Sequence, residues 1–207
     1  MTHNNTILVT GGAGYIGSHV CKLLRNSGYN PVTYDNLSSG HRESVKWGDF
    51  EHGDIRDKEK LSAILKKHNP IAIMHFAALS IVSDSTKHPD QYYDNNVLGT
   101  LSLLNAMREY EIEHIVFSSS CAVYGDAVQV PITESESKQP ENPYGSSKDM
   151  VERILMDFDS AHGIKSVSLR YFNAAGSDPE GEIGENHNPE THLIPLILEA
   201  ALGTRSF

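Results

Sequence analysis

The sequence predicts an α/β fold in which helices cover both faces of a doubly wound parallel sheet. Three observations favour this class. A strand, a glycine-rich turn and an amphipathic helix open the chain, an acidic residue ends the second predicted strand, and a later strand is a nearly continuous apolar run. Such runs are typical of parallel strands that are buried on both faces, so a Rossmann-type arrangement is expected.

The opening turn follows a predicted strand at residues 7–9 and leads into an amphipathic helix. Gly11, Gly12, Gly14 and Gly17 satisfy two overlapping spacings, G-x-x-G-x-x-G and G-x-G-x-x-G. Residues without a Cβ let the backbone reverse tightly and approach a pyrophosphate, and the N–H groups of the following helix favour its charge. Glycine-rich turns also occur without a ligand, but the flanking strand and helix favour a dinucleotide site.

Asp35 follows the second predicted strand, residues 31–34, and comes 18 positions after Gly17. A carboxylate at about this offset accepts hydrogen bonds from the adenosine ribose in dinucleotide-binding folds. Because it would repel a 2′-phosphate, it favours NAD over NADP as the cofactor. The alternative is that Asp35 and Asn36 only open a turn, where both residue types are common.

The third and fourth strands are predicted at residues 50–55 and 71–78, with an amphipathic helix between them. Asp54 lies at the exit of the third strand, near the expected adenine pocket. It either accepts the adenine amino group or is simply a polar loop residue. Ala77 and Ala78 end the fourth strand, and their small side chains permit the close approach of a cofactor.

A helix is predicted over about residues 89–110, because apolar residues recur at i, i+4 and i+7 from Val97. Asn95 and Asn96 lie inside it, although asparagine is a poor residue for a helix interior. A polar contact from one of them to the cofactor would explain this choice.

The fifth predicted strand, residues 114–117, runs into a serine cluster at residues 118–120. Ligands of open α/β sheets bind outside the carboxyl ends of the strands, so this cluster is well placed for polar contacts. The next helix is predicted to begin after Asn142, a favourable N-cap residue, with Pro143 in its first position.

Tyr144 and Lys148 are four residues apart in that helix and therefore neighbours on one face. A free tyrosine has a pKa of about 10, and lowering it by about three units takes roughly 4 kcal/mol. One ammonium about 4 Å away supplies about that much at an effective dielectric near 20. The positive nicotinamide ring of the oxidised cofactor would add to this effect. Lys148 together with the cofactor is therefore predicted to make Tyr144 a general base for hydride transfer from a carbinol carbon to NAD, with Ser120 relaying the proton.

The composition limits the kinds of molecule that the chain is expected to bind. A formal net charge of −10 and a pI near 5.5 argue against nucleic acid, and no run approaches the roughly 20 apolar residues of a membrane helix. The N-terminus lacks an apolar signal region, so a cytoplasmic location is expected. Cys21 and Cys121 are expected to be reduced thiols, and the eleven histidines show no H-x-x-x-H spacing, so no metal site is predicted.

Together these motifs resemble the extended short-chain dehydrogenase/reductase family. The matching segments follow the family's order along nearly the whole chain: residues 9–19, 35–37, 53–56, 75–78, 92–97, 117–120, 143–148, 169–173 and 192–195. The resemblance implies NAD-dependent epimerisation of a UDP-hexose at C4, which interconverts UDP-glucose and UDP-galactose. Hydride leaves C4, the 4-keto sugar turns over in the pocket, and hydride returns to its other face.

The resemblance also assigns roles to individual residues. The implied catalytic residues are Tyr144, Lys148 and Ser120. The implied NAD site consists of Gly11, Gly14, Tyr15, Ile16, Gly17, Asp35, Asn36, Asp54, Ile55, Phe76, Ala77, Ala78, Asn95, Tyr144, Lys148 and Phe172. The implied contacts to the UDP-sugar come from Ser120, Tyr144, Asn173, His192 and Leu193.

Members of this family commonly form homodimers, in which the helices that begin near Pro89 and Tyr144 pair into a four-helix bundle, so a homodimer is expected. Two positions depart from the pattern. Ser80 stands where some members carry a lysine close to the nicotinamide, and Ala122 stands where some carry a threonine near the substrate. Neither change removes the Tyr–Lys–Ser set.

The chain ends well short of a full family member, so we expect a C-terminally truncated protein. Residues 1–175 are predicted to form the NAD-binding Rossmann domain, and residues 176–207 the incomplete beginning of the small substrate-binding domain. Remote binding energy orients a substrate for reaction. The chain is therefore expected to bind NAD and to have little or no epimerase activity.

Two other functions stay open at this point. Another nucleotide-sugar epimerase of the family, acting on UDP-glucuronate or a UDP-N-acetylhexosamine, would share these motifs. A 4,6-dehydratase is disfavoured, because Ser120-Cys121-Ala122 stands where dehydratases carry Thr-Asp-Glu. A non-catalytic NAD-binding fragment is the other alternative, since fold does not fix function; the intact Tyr144 and Lys148 argue against it.

Overall fold

The strands of the protein form a single parallel sheet. The computed structural model describes residues 4–127, 129–187 and 190–205. The described strands are β1 (Thr6–Thr10), β2 (Asn30–Asp35), β3 (Asp49–His52), β4 (Ala72–His75), β5 (His114–Ser118) and β6 (Lys165–Leu169). Their order in the sheet is β3-β2-β1-β4-β5-β6, with every neighbouring pair parallel. The predicted doubly wound sheet is confirmed.

Helices connect the strands. The described helices are α1 (Tyr15–Asn26), α2 (Lys58–His68), α3 (Val82–Ser85), α4 (Pro89–Tyr92), α5 (Gly99–Glu109), α6 (Pro143–His162) and α7 (Leu193–Ala201). None of these helices is both long and apolar enough to cross a membrane. Because the strand order reverses between β1 and β4, the loops that leave these two strands diverge and open a crevice at their carboxyl ends.

The boundaries of α6 follow from its sequence. The Asn142 side chain accepts a hydrogen bond from the backbone N–H of Gly145 at 2.9 Å, and Pro143 occupies the first turn. Gly163 ends the helix in the left-handed region, with a φ of 73°. The predicted start of this helix is confirmed, and the N-cap fixes the turn that carries Tyr144.

The larger hydrophobic core lies between the sheet and the helices α2, α5 and α6. Its fully or nearly fully buried strand residues are Leu8, Val32, Ile73, Ile115 and Phe117. On the other face, Cys21 of α1 packs with Ile7 and Val9. The outer strand β6 is less covered, since the Val167 and Leu169 side chains are 57% and 40% exposed.

The helix predicted over residues 89–110 is present but not uniform. A wider π-helical turn, Tyr93–Leu98, separates α4 from α5. Asn96 lies in this turn and is buried, and its side chain bonds the backbone of Leu79 in both directions, at 2.8 and 3.0 Å. Asn96 is thereby explained as one of the two unexpected asparagines in the helix. Its amide provides hydrogen-bond partners for the backbone N–H and carbonyl of Leu79 in the loop after β4.

The chain after β6 returns to the first helix. Lys22 of α1 pairs with Asp178 at 2.7 Å and with Glu182 at 2.9 Å, and Ile183 is buried. Lys46 also donates to the backbone carbonyl of Glu182 at 2.6 Å. This segment therefore packs against the sheet unit ahead of α7.

Gly17 provides a test of the packing between α1 and the turn after β1. A Cβ at this position would lie 2.2 Å from the carbonyl oxygen of Gly11 and 2.8 Å from Cα of Gly12. The Gly17→Ala variant must push helix and turn apart, so its free energy of unfolding is expected to fall by about 1–3 kcal/mol in urea denaturation.

Gly184→Ala is the matched control, because the nearest atom to its added Cβ would be 4.0 Å away. Its free energy of unfolding is expected to change by no more than about 0.5 kcal/mol. An equal loss in the two variants would contradict the close approach of α1 to the turn.

Candidate active site

A cavity of about 850 Å³ opens at the carboxyl ends of the central strands. It is lined by nearly all residues predicted for cofactor or substrate: Gly11, Gly14, Tyr15, Ile16, Gly17, Asp35, Asn36, Ile55, Phe76, Ala77, Ala78, Asn95, Ser120, Tyr144, Lys148, Phe172, Asn173, His192 and Leu193. The fold therefore gathers residues from the whole chain into one concave site. Of the predicted residues, Asp54 is the one that does not line it.

The glycine turn forms the floor of the cavity next to β4. Gly11 has a φ of +72°, and a Cβ there would lie 2.5 Å from the backbone nitrogen of Ala77. Helix α1 begins at Tyr15, and its N-cap Gly14 offers no side-chain cap. The first N–H groups of a helix have no intrahelical acceptors, so they remain available to an anion in the cavity.

Asp35 is held rigidly at the end of β2. Its Oδ2 accepts from the backbone N–H of Ala13 at 3.0 Å, and its Oδ1 accepts from that of Leu37 at 2.8 Å. Each carboxylate oxygen has a second lone pair, so the group can still accept from a ligand hydroxyl. Asp35 therefore lines the cavity at the predicted position. It also makes the turn contact with Leu37 that was the alternative explanation for this residue.

Asp54 is not among the residues that line the cavity, and its predicted contact with adenine stays a prediction. Its carboxylate accepts from the Arg56 guanidinium at 2.7 and 2.9 Å and from the Asn36 side chain at 3.0 Å. The Arg56 partner holds the pKa of the Asp54 carboxyl well below its usual range. Its neighbours Gly53 and Ile55 line the cavity instead, because the carboxylate turns toward Arg56.

Asn95 and Asn96 divide the roles that the sequence left open. Asn96 is structural, whereas Asn95 lines the cavity and donates to the Asn96 side chain at 3.0 Å. Asn96 also donates to the hydroxyl of Ser147 at 3.1 Å, which ties the π-helical turn to α6. Asn95 is therefore the asparagine available to a ligand.

Lys148 is the buried cation of the site. Its side chain projects from α6 and donates to the backbone carbonyl of Ser118 at 2.8 Å. The ammonium also lies 4.9 Å from the centre of the Phe117 ring and 5.7 Å from that of the Tyr144 ring. Among the ion pairs of the described residues, none includes Lys148. Because no counter-charge offsets the loss of solvation, burial lowers the pKa of Lys148 to about 7.

The chain's own groups do not lower the pKa of Tyr144, and the predicted part of the nicotinamide charge stays a prediction. Burial raises the pKa of Tyr144 above its usual value, and the neighbouring Ser120 hydroxyl offsets only part of this rise. The ammonium of Lys148 is directed at the Ser118 carbonyl, and its own pKa of about 7 leaves it partly neutral at neutral pH. A further positive charge is needed to stabilise the phenolate.

The predicted substrate contacts lie at the open side of the cavity. The side chains of Phe172 and Leu193 are 61% and 71% exposed, and Asn173 and His192 are also exposed. Apart from Ser80, sequence reasoning missed other lining residues, including those at 38–40, 79 and 81–83. Their position after β2 and β4 was the available signal, since such loops border the ligand site of this fold.

The burial of Lys148 makes stability depend on pH. The folded-state pKa is about 7 and the unfolded value is 10.5, so the unfolded chain binds more protons between these values and stability rises with pH there. Relative to Lys148→Met, the free energy of unfolding of the wild-type chain is expected to increase by about 2–3 kcal/mol from pH 6 to pH 9.

The matched control is Lys87→Met, which removes an exposed lysine. Its difference from the wild type is expected to be independent of pH over the same range. A flat difference for Lys148→Met in urea denaturation would show that the ammonium is solvated in the folded chain.

Comparison with known proteins places this site in a family. The chain is 57% identical over 202 residues to the UDP-glucose 4-epimerase of Rhizobium meliloti (strain 1021), covering 98% of this chain and 62% of that protein. The UDP-glucose 4-epimerase of Lactobacillus helveticus is 50% identical over 197 residues, covering 95% of this chain and 60% of that protein. The chain thus spans about three fifths of the length of these relatives.

Solved structures agree with the sequence comparison. The UDP-glucose 4-epimerase from Brucella ovis in complex with NAD superimposes with a TM-score of 0.96 at 52% identity, covering 97% of this chain and 62% of that one. The enzyme from Bifidobacterium longum in complex with NAD+ and UDP gives a TM-score of 0.92 at 36% identity, covering 97% and 63%. Residues 7–206 match the NAD dependent epimerase/dehydratase family, and the chain belongs to it.

Proposed function

We propose that this chain is the NAD-binding and catalytic part of a UDP-hexose 4-epimerase that interconverts UDP-glucose and UDP-galactose. The observation that carries the proposal is the meeting of Tyr144, Ser120 and Lys148 in the same cavity as the glycine turn. The names of the relatives and the NAD in the Brucella ovis structure support the same assignment.

The cavity fits NAD in three respects. The uncapped start of α1 offers N–H groups and a positive dipole end to a pyrophosphate. The Asp35 carboxylate keeps acceptor capacity for the adenosine ribose and disfavours a 2′-phosphate. The Lys148 ammonium has three protons, of which one is used by Ser118, so the others can meet hydroxyl groups of the ligand.

The chain's own residues move the proton in the proposed reaction. When bound, NAD would supply the hydride acceptor and donor for C4. Tyr144, as a phenolate, takes the proton of the C4 hydroxyl while the C4–H bond breaks, which leaves a C4 ketone and a neutral phenol. In the reverse step the phenol returns the proton to the oxygen, so no net oxidation occurs and only the configuration at C4 changes.

Electrostatics sets the condition for this role. In the chain by itself, burial keeps the pKa of Tyr144 high. A positive nicotinamide ring next to the phenol would favour the phenolate. The same charge would disfavour the ammonium form of Lys148. We therefore infer that cofactor binding prepares the base, with the Ser120 hydroxyl passing the proton between the sugar and Tyr144.

Substrate binding is proposed to need residues beyond this segment. Asn173, His192 and Leu193 border the cavity but are exposed, so they hold a sugar nucleotide from one side. Because remote contacts orient the reacting carbon, the segment alone is expected to bind NAD with little or no turnover. Residues 176–207 would then begin the substrate domain.

We further propose a cytoplasmic homodimer. Leu98 next to α5 and Met150 in α6 are 54% and 46% exposed, which supports pairing through these two helices. Cys21 and Cys121 are free thiols, which suits a reducing compartment.

The proposed base is tested in a chimera that joins this chain to the C-terminal part of the Rhizobium meliloti relative. The Tyr144→Phe variant is expected to lose at least about 100-fold in turnover of UDP-galactose, because it removes proton transfer, while its content of bound NAD stays unchanged. Turnover is measured by the appearance of UDP-glucose, and bound NAD by its release on denaturation.

Tyr29→Phe is the control, since Tyr29 is 39% exposed and lies outside the cavity lining. It should leave both quantities unchanged. Undiminished turnover of Tyr144→Phe would remove the base assignment, and an active chimera without bound NAD would remove the proposed cofactor.

A further inference from the structure

Four side chains from the loop before α7 converge on one point. Glu185, His187, Glu190 and His192 each offer one ligand atom, and these atoms all lie within 4.8 Å of one another. They form an E-x-H-x-x-E-x-H sequence, whose histidines are five residues apart and not on one helical face. The proposed hydride transfer uses none of the first three residues, so their convergence needs another explanation. The atom of His192 in this cluster is Nδ1, which leaves its Nε2 for the proposed contact with the sugar nucleotide.

Three of the distances between the ligand atoms are close to those of a tetrahedral metal site, and the fourth, between His192 and Glu185, is that of a hydrogen bond that an ion would replace. Bonds from Zn²⁺ to imidazole nitrogen and carboxylate oxygen are about 2.0–2.2 Å, so adjacent ligand atoms are about 3.3–3.6 Å apart. Nδ1 of His187 lies 3.4 Å from Oε1 of Glu185 and 3.7 Å from Oε2 of Glu190. Nδ1 of His192 lies 3.4 Å from Oε1 of Glu190 and 2.7 Å from Oε1 of Glu185.

One of these atoms has an unfulfilled bonding capacity. Nδ1 of His187 is buried and forms no hydrogen bond with any described residue. Buried polar atoms without a partner are rare in folded proteins, and a bound ion is one way in which such an atom is satisfied. The atom lies 3.4 Å from Glu185 Oε1 and 3.7 Å from Glu190 Oε2, so an ion among the four ligand atoms would be within its reach.

The Glu190 carboxylate and the backbone at Asn186 are each held by hydrogen bonds. Oε1 of Glu190 accepts from the backbone N–H groups of Thr191 and His192, both at 2.8 Å. The ring of His41 bonds the backbone carbonyl of Asn186 at 2.7 Å, which anchors the loop to the sheet unit. Outer contacts of this kind orient metal ligands before the ion arrives.

We propose that Glu185, His187, Glu190 and His192 bind one divalent transition-metal ion, for which Zn²⁺ is the best fit. Two imidazoles favour zinc and its neighbours over Mg²⁺ and Ca²⁺, which prefer oxygen ligands alone. Two carboxylates balance the charge of one divalent ion. Four protein ligands complete a tetrahedral shell, so the site is structural: it ties the loop to the start of α7, where Leu193 borders the cavity.

The experiment uses the 207-residue chain, prepared without a histidine tag and stripped with a chelator. Equilibrium dialysis against Zn²⁺ alone is expected to give one ion per wild-type chain and a rise in Tm. The double variant His187→Ala with His192→Ala is expected to lose about 100-fold or more in zinc affinity and the rise in Tm. Substitution with Co²⁺ should give the intense visible bands of a tetrahedral site in the wild type only.

The control is the double variant His88→Ala with His114→Ala, which removes two exposed histidines elsewhere. It should bind zinc like the wild type, and so should Tyr144→Phe, which separates this proposal from the catalytic one. If the double variant of the loop loses its fold, Glu185→Gln tests the same site and is expected to weaken zinc at least tenfold. Absence of zinc uptake, or uptake unaffected by the loop variants, would overturn the proposal and leave imidazole–carboxylate ion pairs as the reason for the cluster.

Discussion

The close approach of the turn after β1 to the exit of β4 is the constraint on which the rest of the site depends. The backbone nitrogen of Ala77 lies 2.5 Å from where a Cβ of Gly11 would be, so position 11 cannot accept a side chain unless the two segments move apart. These two strands are neighbours at the point where the strand order reverses. The diverging loops leave the crevice, and α1 directs its free N–H groups into it.

A second constraint is the burial of a cation next to the proposed base. The Lys148 ammonium is satisfied by a backbone carbonyl, so burial works against its charge and against a phenolate on Tyr144 at the same time. Each ionised group would stabilise the other. A positive nicotinamide would favour the phenolate, and ligand hydroxyl groups would offer the ammonium further hydrogen-bond acceptors. Under the proposed function, the base is therefore expected to form only when the cofactor is bound.

The sequence predicted most of the fold, because the apolar runs and the caps were local signals. Strand β6 and helix α7 carried weaker signals: β6 is half exposed, and α7 is apolar with no buried residue. At the site, the glycine turn, Asp35 and Tyr144 line one cavity, as their spacing suggested, and their roles stay predictions. Spacing could show neither the pairing of Asp54 with Arg56 nor the burial that raises the pKa of Tyr144, since both are tertiary properties. The Glu185–His192 cluster was missed because its spacing belongs to a loop.

The central claim is that this segment by itself holds NAD on the glycine turn with Asp35 at the ribose. Isothermal titration of the chain with NAD+ and with NADP+ tests it most directly. One NAD+ is expected to bind per chain, with an affinity for NADP+ that is at least about tenfold lower. The Asp35→Asn variant is expected to lose this preference, because no carboxylate repels the 2′-phosphate. Equal affinities for the two cofactors in the wild-type chain, or no binding of NAD+, would contradict it.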